Sequence, residues 1–123
     1  SILLGFVFAA LVVTLARNYQ EMAGLAALLF PFYADELTTM AVRIKDRENL
    51  ARPHRRHLYQ LLANEFGLAH WKVTLIYGAM QLGVGAVVLV AYPLGALQLL
   101  VFLAASFLAF TLFSLLIRRK IKK

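Results

Sequence analysis

Two apolar runs, residues 73–92 and 94–117, stand back to back with only Pro93 between them, and neither contains a charged side chain. Runs of that length match the roughly 30 Å of hydrocarbon that a helix of about 20 residues crosses. Inside hydrocarbon every backbone N–H and C=O must be paired within the segment itself or within a closed barrel. The alternating segments of about ten residues that a barrel requires are missing, so helices are the remaining solution. Pro93, which has no N–H to give to a continuing helix, marks the tight turn of a hairpin.

Two further segments complete the pattern. Residues 2–16 are apolar apart from Thr14, short for a full span. Residues 22–42 form another candidate, interrupted by Pro31 and by Asp35-Glu36. The expected fold is therefore an all-α polytopic membrane domain of four transmembrane helices in two hairpins, at about residues 2–17, 22–43, 72–92 and 94–117. A basic, partly helical loop (43–71) and a basic tail (118–123) complete it. A content of 62% hydrophobic and 15% charged residues lies outside the soluble range. Ala79 and Gly83 form a small-residue pair, with Gly85 close by, and predict close packing of the third helix. The start, SILLGFVF, has no basic n-region and does not read as a secretory signal.

Thirteen basic residues face six acidic ones, a net charge of +7, and they cluster. Arg43, Lys45, Arg47, Arg52, Arg55, Arg56 and Lys72 form one block; Arg118, Arg119, Lys120, Lys122 and Lys123 form a second. A nucleic-acid binder would carry such charge on a folded polar face, whereas here it only punctuates apolar runs, so no nucleic-acid partner is expected. Basic residues accumulate in short cytoplasmic loops, and two intervening helices put both blocks on one side, which predicts a cytoplasmic loop and C-terminus. Tyr19, Trp71 and Tyr92 fall near the expected boundaries, where amphipathic rings prefer the headgroup layer. The absence of cysteine does not decide the compartment.

The densest chemistry is in ARPHRRHLYQLL, residues 51–62, with three arginines and two histidines between Arg52 and Leu58. Leu58, Leu61, Leu62 and Phe66 recur at helical spacing, so this part of the loop reads as an amphipathic helix at the membrane surface. If that helix starts at or before Pro53, His54 and His57 share a face. Four readings of the cluster stay open. Topology alone explains the arginines but not the histidines, which are mostly neutral near pH 7. A metal site lacks a third ligand beyond Glu48 or Glu65. An anionic-lipid patch would gain about 1 kcal/mol per basic residue. A phosphate clamp would use paired arginine donors with histidine as hydrogen-bond or proton donor. Asp35 and Glu36, costly at a bilayer centre, should face protein or water. Asp35 has a structural role open to it through Thr38, Thr39 or a loop arginine.

Three stretches, FPFYADELTTMAVRI, PHRRHLYQLL and GLAHWKVTLIYGAMQLGV, resemble in order and spacing the polyprenyl-phosphate N-acetylhexosamine-1-phosphate transferases, over most of the chain from about Leu28 onward. That superfamily includes the phospho-N-acetylmuramoyl-pentapeptide transferase and the enzymes that start O-antigen and related lipid-linked glycans. The histidine motif reads here His54-Arg55-Arg56-His57-Leu58-Tyr59-Gln60, similar to the branch that handles UDP-activated N-acetylated sugars. The resemblance implies transfer of a sugar-1-phosphate from a UDP-sugar to undecaprenyl phosphate with release of UMP, in the bacterial inner membrane. It assigns His54 and His57 to the catalytic rim, and Arg55, Arg56, Tyr59, Gln60 and Asp35 to substrate binding. It also makes Ser1 the last residue of a Gly-Asp-x-Gly-Ser motif and the chain the C-terminal part of a ten- or eleven-helix enzyme, inactive alone. Magnesium is then expected for the whole enzyme, with its ligands outside this chain; membrane lipid is a partner, and a homodimer is admitted. Arg56 departs from the His-x-His-His form of the motif and, always charged, can bind phosphate but not shuttle protons. The alternative expectation is a small non-enzymatic membrane protein whose basic loop binds anionic lipid or an acidic partner.

Overall fold

The computed structural model describes residues 2–121, with the side chain of Ile2 excepted; Lys122 and Lys123 of the expected tail lie outside the described residues. Among these residues there are helices and turns and no strand. The helices are α1 (Ile2–Leu15), α2 (Tyr19–Ala26), α3 (Phe30–Lys45), α4 (Leu58–Asn64), α5 (His70–Ala91) and α6 (Ala96–Ile121). Three helical stretches are long and apolar enough to cross a membrane: Tyr19–Lys45, His70–Leu94 and Ala96–Ile121. The helix expected at residues 2–17 ends at Leu15, and its 14 residues rise only about 21 Å.

Local chemistry moves the expected boundaries. Asn18 Oδ1 accepts the Glu21 N–H (2.9 Å) while Glu21 Oε2 accepts the Arg17 N–H (2.8 Å), a reciprocal cap that starts α2 three residues before residue 22. Pro31 lies in the first turn of α3, where its missing N–H is tolerated, and the break precedes it as a 3₁₀ turn, Ala27–Leu29. The Ala27 carbonyl takes the Phe30 N–H and also Gln81 Nε2 at 3.1 Å. At the other turn Pro93 sits in a 3₁₀ segment, Tyr92–Leu94, followed by Gly95 at φ 113°, a conformation that side chains rarely adopt. The turn therefore consumes three residues more than Pro93 alone suggests, and α6 begins at Ala96.

The chain divides into two compact units. In the first, the described residues up to Phe30 together with Gln81–Ser106, the Gln20 amide donates to the Tyr92 carbonyl and a Cβ on Gly24 would lie 3.7 Å from Val88 Cγ1. A Cβ on Gly83 or Gly85 would meet nothing within 4 Å. The close packing expected at Ala79 and Gly83 is thus corrected: the near approach is at Gly24.

The second unit joins Pro31–Met80 to the described residues from Phe107 onward. Here α3 is patterned inside out. Its buried stripe is Pro31, Ala34, Asp35, Thr38, Thr39 and Arg43, while Phe32, Leu37 and Ile44 are 60%, 53% and 60% exposed. Polar groups inward and large apolar groups outward fit a lipid solvent, in which apolar surface has no reason to hide. The polar stripe meets its counterpart on α6, where Thr38 and Thr111 hydroxyls lie 3.1 Å apart and Ser114 is fully buried. Leu58 and Leu62 of α4 and Val73 and Tyr77 of α5 complete the interior. Ala34 is 0% exposed, so Ala34→Leu should cost about 1–3 kcal/mol by overpacking, whereas Leu37→Ala should stay within about 0.5 kcal/mol. Thermal unfolding in detergent checks both, and equal effects would refute the inside-out assignment.

Candidate functional site

Asp35 organises the second unit. Its side chain is 3% exposed, yet protein donors surround it. Oδ1 accepts the Leu58 N–H at 2.8 Å and the Thr39 hydroxyl at 3.2 Å; Oδ2 accepts the Tyr77 hydroxyl at 2.7 Å and lies 3.5 Å from the Tyr59 N–H. The Arg118 guanidinium is 3.9 Å from Oδ1 and donates at 2.8 Å to the Thr39 hydroxyl, which in turn donates its hydrogen bond to Asp35. Ser114 Oγ accepts the Arg118 Nε at 3.2 Å. The first N–H groups of a helix have no internal acceptor, and here a carboxylate from α3 supplies one to α4. Asp35 thus gives the first N–H of α4 an acceptor from another helix.

Arg43, the last buried residue of α3, shapes the loop in the same way. Its guanidinium donates to the carbonyls of Asn49 (2.6 Å), Arg52 (3.1 Å) and Leu50 (3.4 Å) and pairs with Glu48 at 3.1 Å. Glu48 also pairs with Arg56, which reaches Asp46 at 2.7 Å as well. Two of the loop's arginines are therefore engaged within the loop. Among the described residues, the Arg55 side chain is exposed and forms no ion pair or hydrogen bond.

The two histidines meet without a shared helix. The helix expected to begin at or before Pro53 begins at Leu58, and His57 precedes it in extended conformation (φ −65°, ψ 147°) as its cap. A helix reaching back through Pro53 would take the Leu58 N–H from Asp35, so the cap fixes the later start. His57 donates its backbone N–H to Gln60 Oε1 at 3.3 Å. The rings of His54 and His57 are 4.7 Å apart, His57 stacks on Tyr59 at 5.7 Å, and Tyr59 meets Tyr77 edge-on at 6.4 Å. His57 Nε2 lies 3.6 Å from Glu36 Oε2. His54 Nδ1 is buried without a hydrogen-bond partner. Desolvation pushes the His54 pKa below the ordinary imidazole value, helped by the positive charge of Arg43 and by His57, against the opposite pull of Glu36 and Glu48.

Of the residues expected at the site, His54, His57, Tyr59 and Gln60 thus gather around the start of α4. Asp35 lies beneath them, enclosed. Arg55 faces outward, and Arg56 is tied to Asp46 and Glu48. The partners of Asp35 were foreseen in part: Thr39 is there, but the arginine is Arg118 of the tail rather than one from the loop. Tyr77 and Arg43 were not singled out. Tyr77 is masked by the apolar run around it, and its one signal is a phenol hydroxyl that needs a partner when buried. Among the described residues no three of His, Cys, Asp and Glu come together as a metal-ligand set. No protein-family model, curated protein or solved structure matches the chain.

Asp35→Ala leaves Arg118 and two helix N–H groups buried without their acceptor and should cost about 3–5 kcal/mol, with Asp35→Asn costing less because it keeps an oxygen. Thermal unfolding, with proteolysis of the loop as a second readout, checks this; a stable alanine variant removes Asp35 from its role. His54 generates a pH prediction. Its folded pKa is lowered, so protonation favours the opened loop: the contribution is complete above the unfolded value of about 6.5 and is lost as the pH falls from there through the lower folded value. Imidazole NMR should place the His54 titration below that of an unfolded histidine, and His54→Gln should flatten the loop's acid sensitivity.

Proposed function

We propose that this chain forms the phosphate-gripping side of a membrane transferase that moves a sugar-1-phosphate from a UDP-activated N-acetylated sugar to undecaprenyl phosphate, releasing UMP. In this reading the chain is part of a longer polypeptide with four spans in two hairpins, set in a bacterial inner membrane with loop 43–71 and the C-terminus cytoplasmic. The observation that carries it is the tethering of the motif His54–Gln60 by Asp35. The Leu58 N–H bond to a buried carboxylate fixes the segment that holds Arg55, His57 and Tyr59 at the end of three packed helices. The sequence resemblance names the substrates.

The division of labour follows from the partners. Arg55, uncommitted to any carboxylate, meets the diphosphate of the nucleotide or the phosphate of the lipid, its planar fork matching paired oxygens. Arg56 holds the loop through Asp46 and Glu48. His57, held between Glu36 and the Tyr59 ring, offers a donor to negative charge developing on the transferred phosphoryl group. His54, kept neutral, retains a lone pair that can accept a proton. The magnesium implied by the resemblance has no ligand set among the described residues. Phosphoryl transfer rests mainly on positioning and charge stabilisation, which fixed donors supply.

In membranes carrying the intact enzyme, Arg55→Ala and His57→Ala should each lower sugar-phosphate transfer to undecaprenyl phosphate by about a hundredfold or more. Arg55→Lys should recover only part, because an ammonium is a point charge without the fork. Near-normal turnover in Arg55→Ala would reject the assignment. Full rescue by lysine would instead favour the second reading, in which the exposed arginines Arg47, Arg52 and Arg55 hold the loop on anionic lipid.

A further inference from the structure

The first unit holds two hollows that the loop chemistry does not use. One, of about 510 Å³, has Arg17, Glu21 and Tyr92 in its lining together with leucines; the other, of about 460 Å³, passes Ala27, Gln81 and Leu82. Both are lined by Gly24, Val88 and Leu89, so they adjoin there, and we read them as one trough. Along α5 from Gln81 to Leu89 it runs about 12 Å, at 1.5 Å per residue. Its walls are apolar and open, with Leu82 and Leu89 77% and 78% exposed.

The polar end differs from the rest. Arg17 and Glu21 are the only charged residues among the described residues of this unit, and both lie there. The end is also where the two turns of the unit meet, through the Gln20 amide and the Tyr92 carbonyl. The Arg17 N–H fixes Glu21 Oε2 at 2.8 Å. The Arg17 guanidinium and Glu21 Oε1 have no protein partner among the described residues. A cation and an anion placed side by side at the mouth of an apolar trough complement an amphiphile that carries both charges and a hydrocarbon chain.

We propose that this trough holds one acyl chain of a zwitterionic aminophospholipid, its phosphate on Arg17 and its ammonium on Glu21. A phosphatidylglycerol headgroup brings only negative charge, which Glu21 repels, and a quaternary choline has no N–H to give the carboxylate. The competing occupant is a protein helix, whose donor would satisfy Gln81 Oε1, buried without a partner.

The test uses purified, delipidated protein offered equimolar palmitoyl-oleoyl phosphatidylethanolamine and phosphatidylglycerol, with retained lipid counted by native mass spectrometry. Phosphatidylethanolamine should be retained about two- to fivefold over phosphatidylglycerol, the ratio one exposed ion pair supports. Glu21→Gln should abolish the preference. Gly85→Leu, whose Cβ meets nothing within 4 Å, should fill the trough and lower retention of both lipids without lowering the unfolding temperature. Equal retention in the unaltered protein, or undiminished binding to Gly85→Leu, overturns the proposal. So does efficient disulfide cross-linking of Leu89→Cys between two copies in native membranes, since a second chain would then fill the trough.

Discussion

A carboxylate removed from water must find its hydrogen bonds in the protein, and the second unit is arranged around that requirement. Asp35 draws a hydroxyl from α3, one from α5, a guanidinium from α6 and backbone N–H groups from the start of α4. Each of these groups is itself costly to bury alone. The seven residues of α4 are too few to form a helix unaided, so its existence depends on the cap and on burial of Leu58 and Leu62. The dependence is mutual. The residue that a membrane helix tolerates least becomes the one that joins four helices.

The same accounting sorts the arginines, which composition cannot distinguish. Arg43 and Arg118 are buried, 3% and 7% exposed, and are engaged with carbonyls, two hydroxyls and two carboxylates of their own unit. Arg56 is held by two carboxylates. Removing these cations from the pool available to a ligand leaves Arg55 as the uncommitted guanidinium inside the tethered motif. A single positive charge so placed discriminates more sharply than a diffuse patch, because the backbone beside it is fixed.

Much of this was legible in the sequence, and the failures have physical causes. Apolar run length and the need to pair backbone groups gave helices, and Pro93 gave the hairpin turn. The helix starts were misjudged where polar caps extend a helix beyond its apolar stretch: Tyr19, Gln20 and Glu21 look like a linker until Asn18 and Glu21 are seen to cap. Arg118 read as a topological signal because a terminal basic cluster is usually that, and only the Ser114 and Thr39 hydroxyls reveal its inward turn. His54 and His57 were paired on the premise of a shared helix face. They do meet, but through an extended segment whose helix starts four residues after His54, since the acceptor for the Leu58 N–H lies 23 positions away in sequence. Local periodicity carries no information about such a partner.

The enclosed state of Asp35 also bears on the proposed chemistry. With donors on both oxygens, its lone pairs are committed, and a substrate or ion would have to displace bonds that hold α4 in place. In the proposed reaction Asp35 is therefore a positioning residue, and the polar groups left to meet phosphate are those at the rim. There the two histidines are unlike. His57 has a carboxylate 3.6 Å from Nε2. His54 is desolvated beside Arg43, and its orphaned Nδ1 favours the neutral, accepting form. Two imidazoles 4.7 Å apart with such different neighbours give the proposed chemistry one ring beside a carboxylate and one desolvated ring with a free nitrogen.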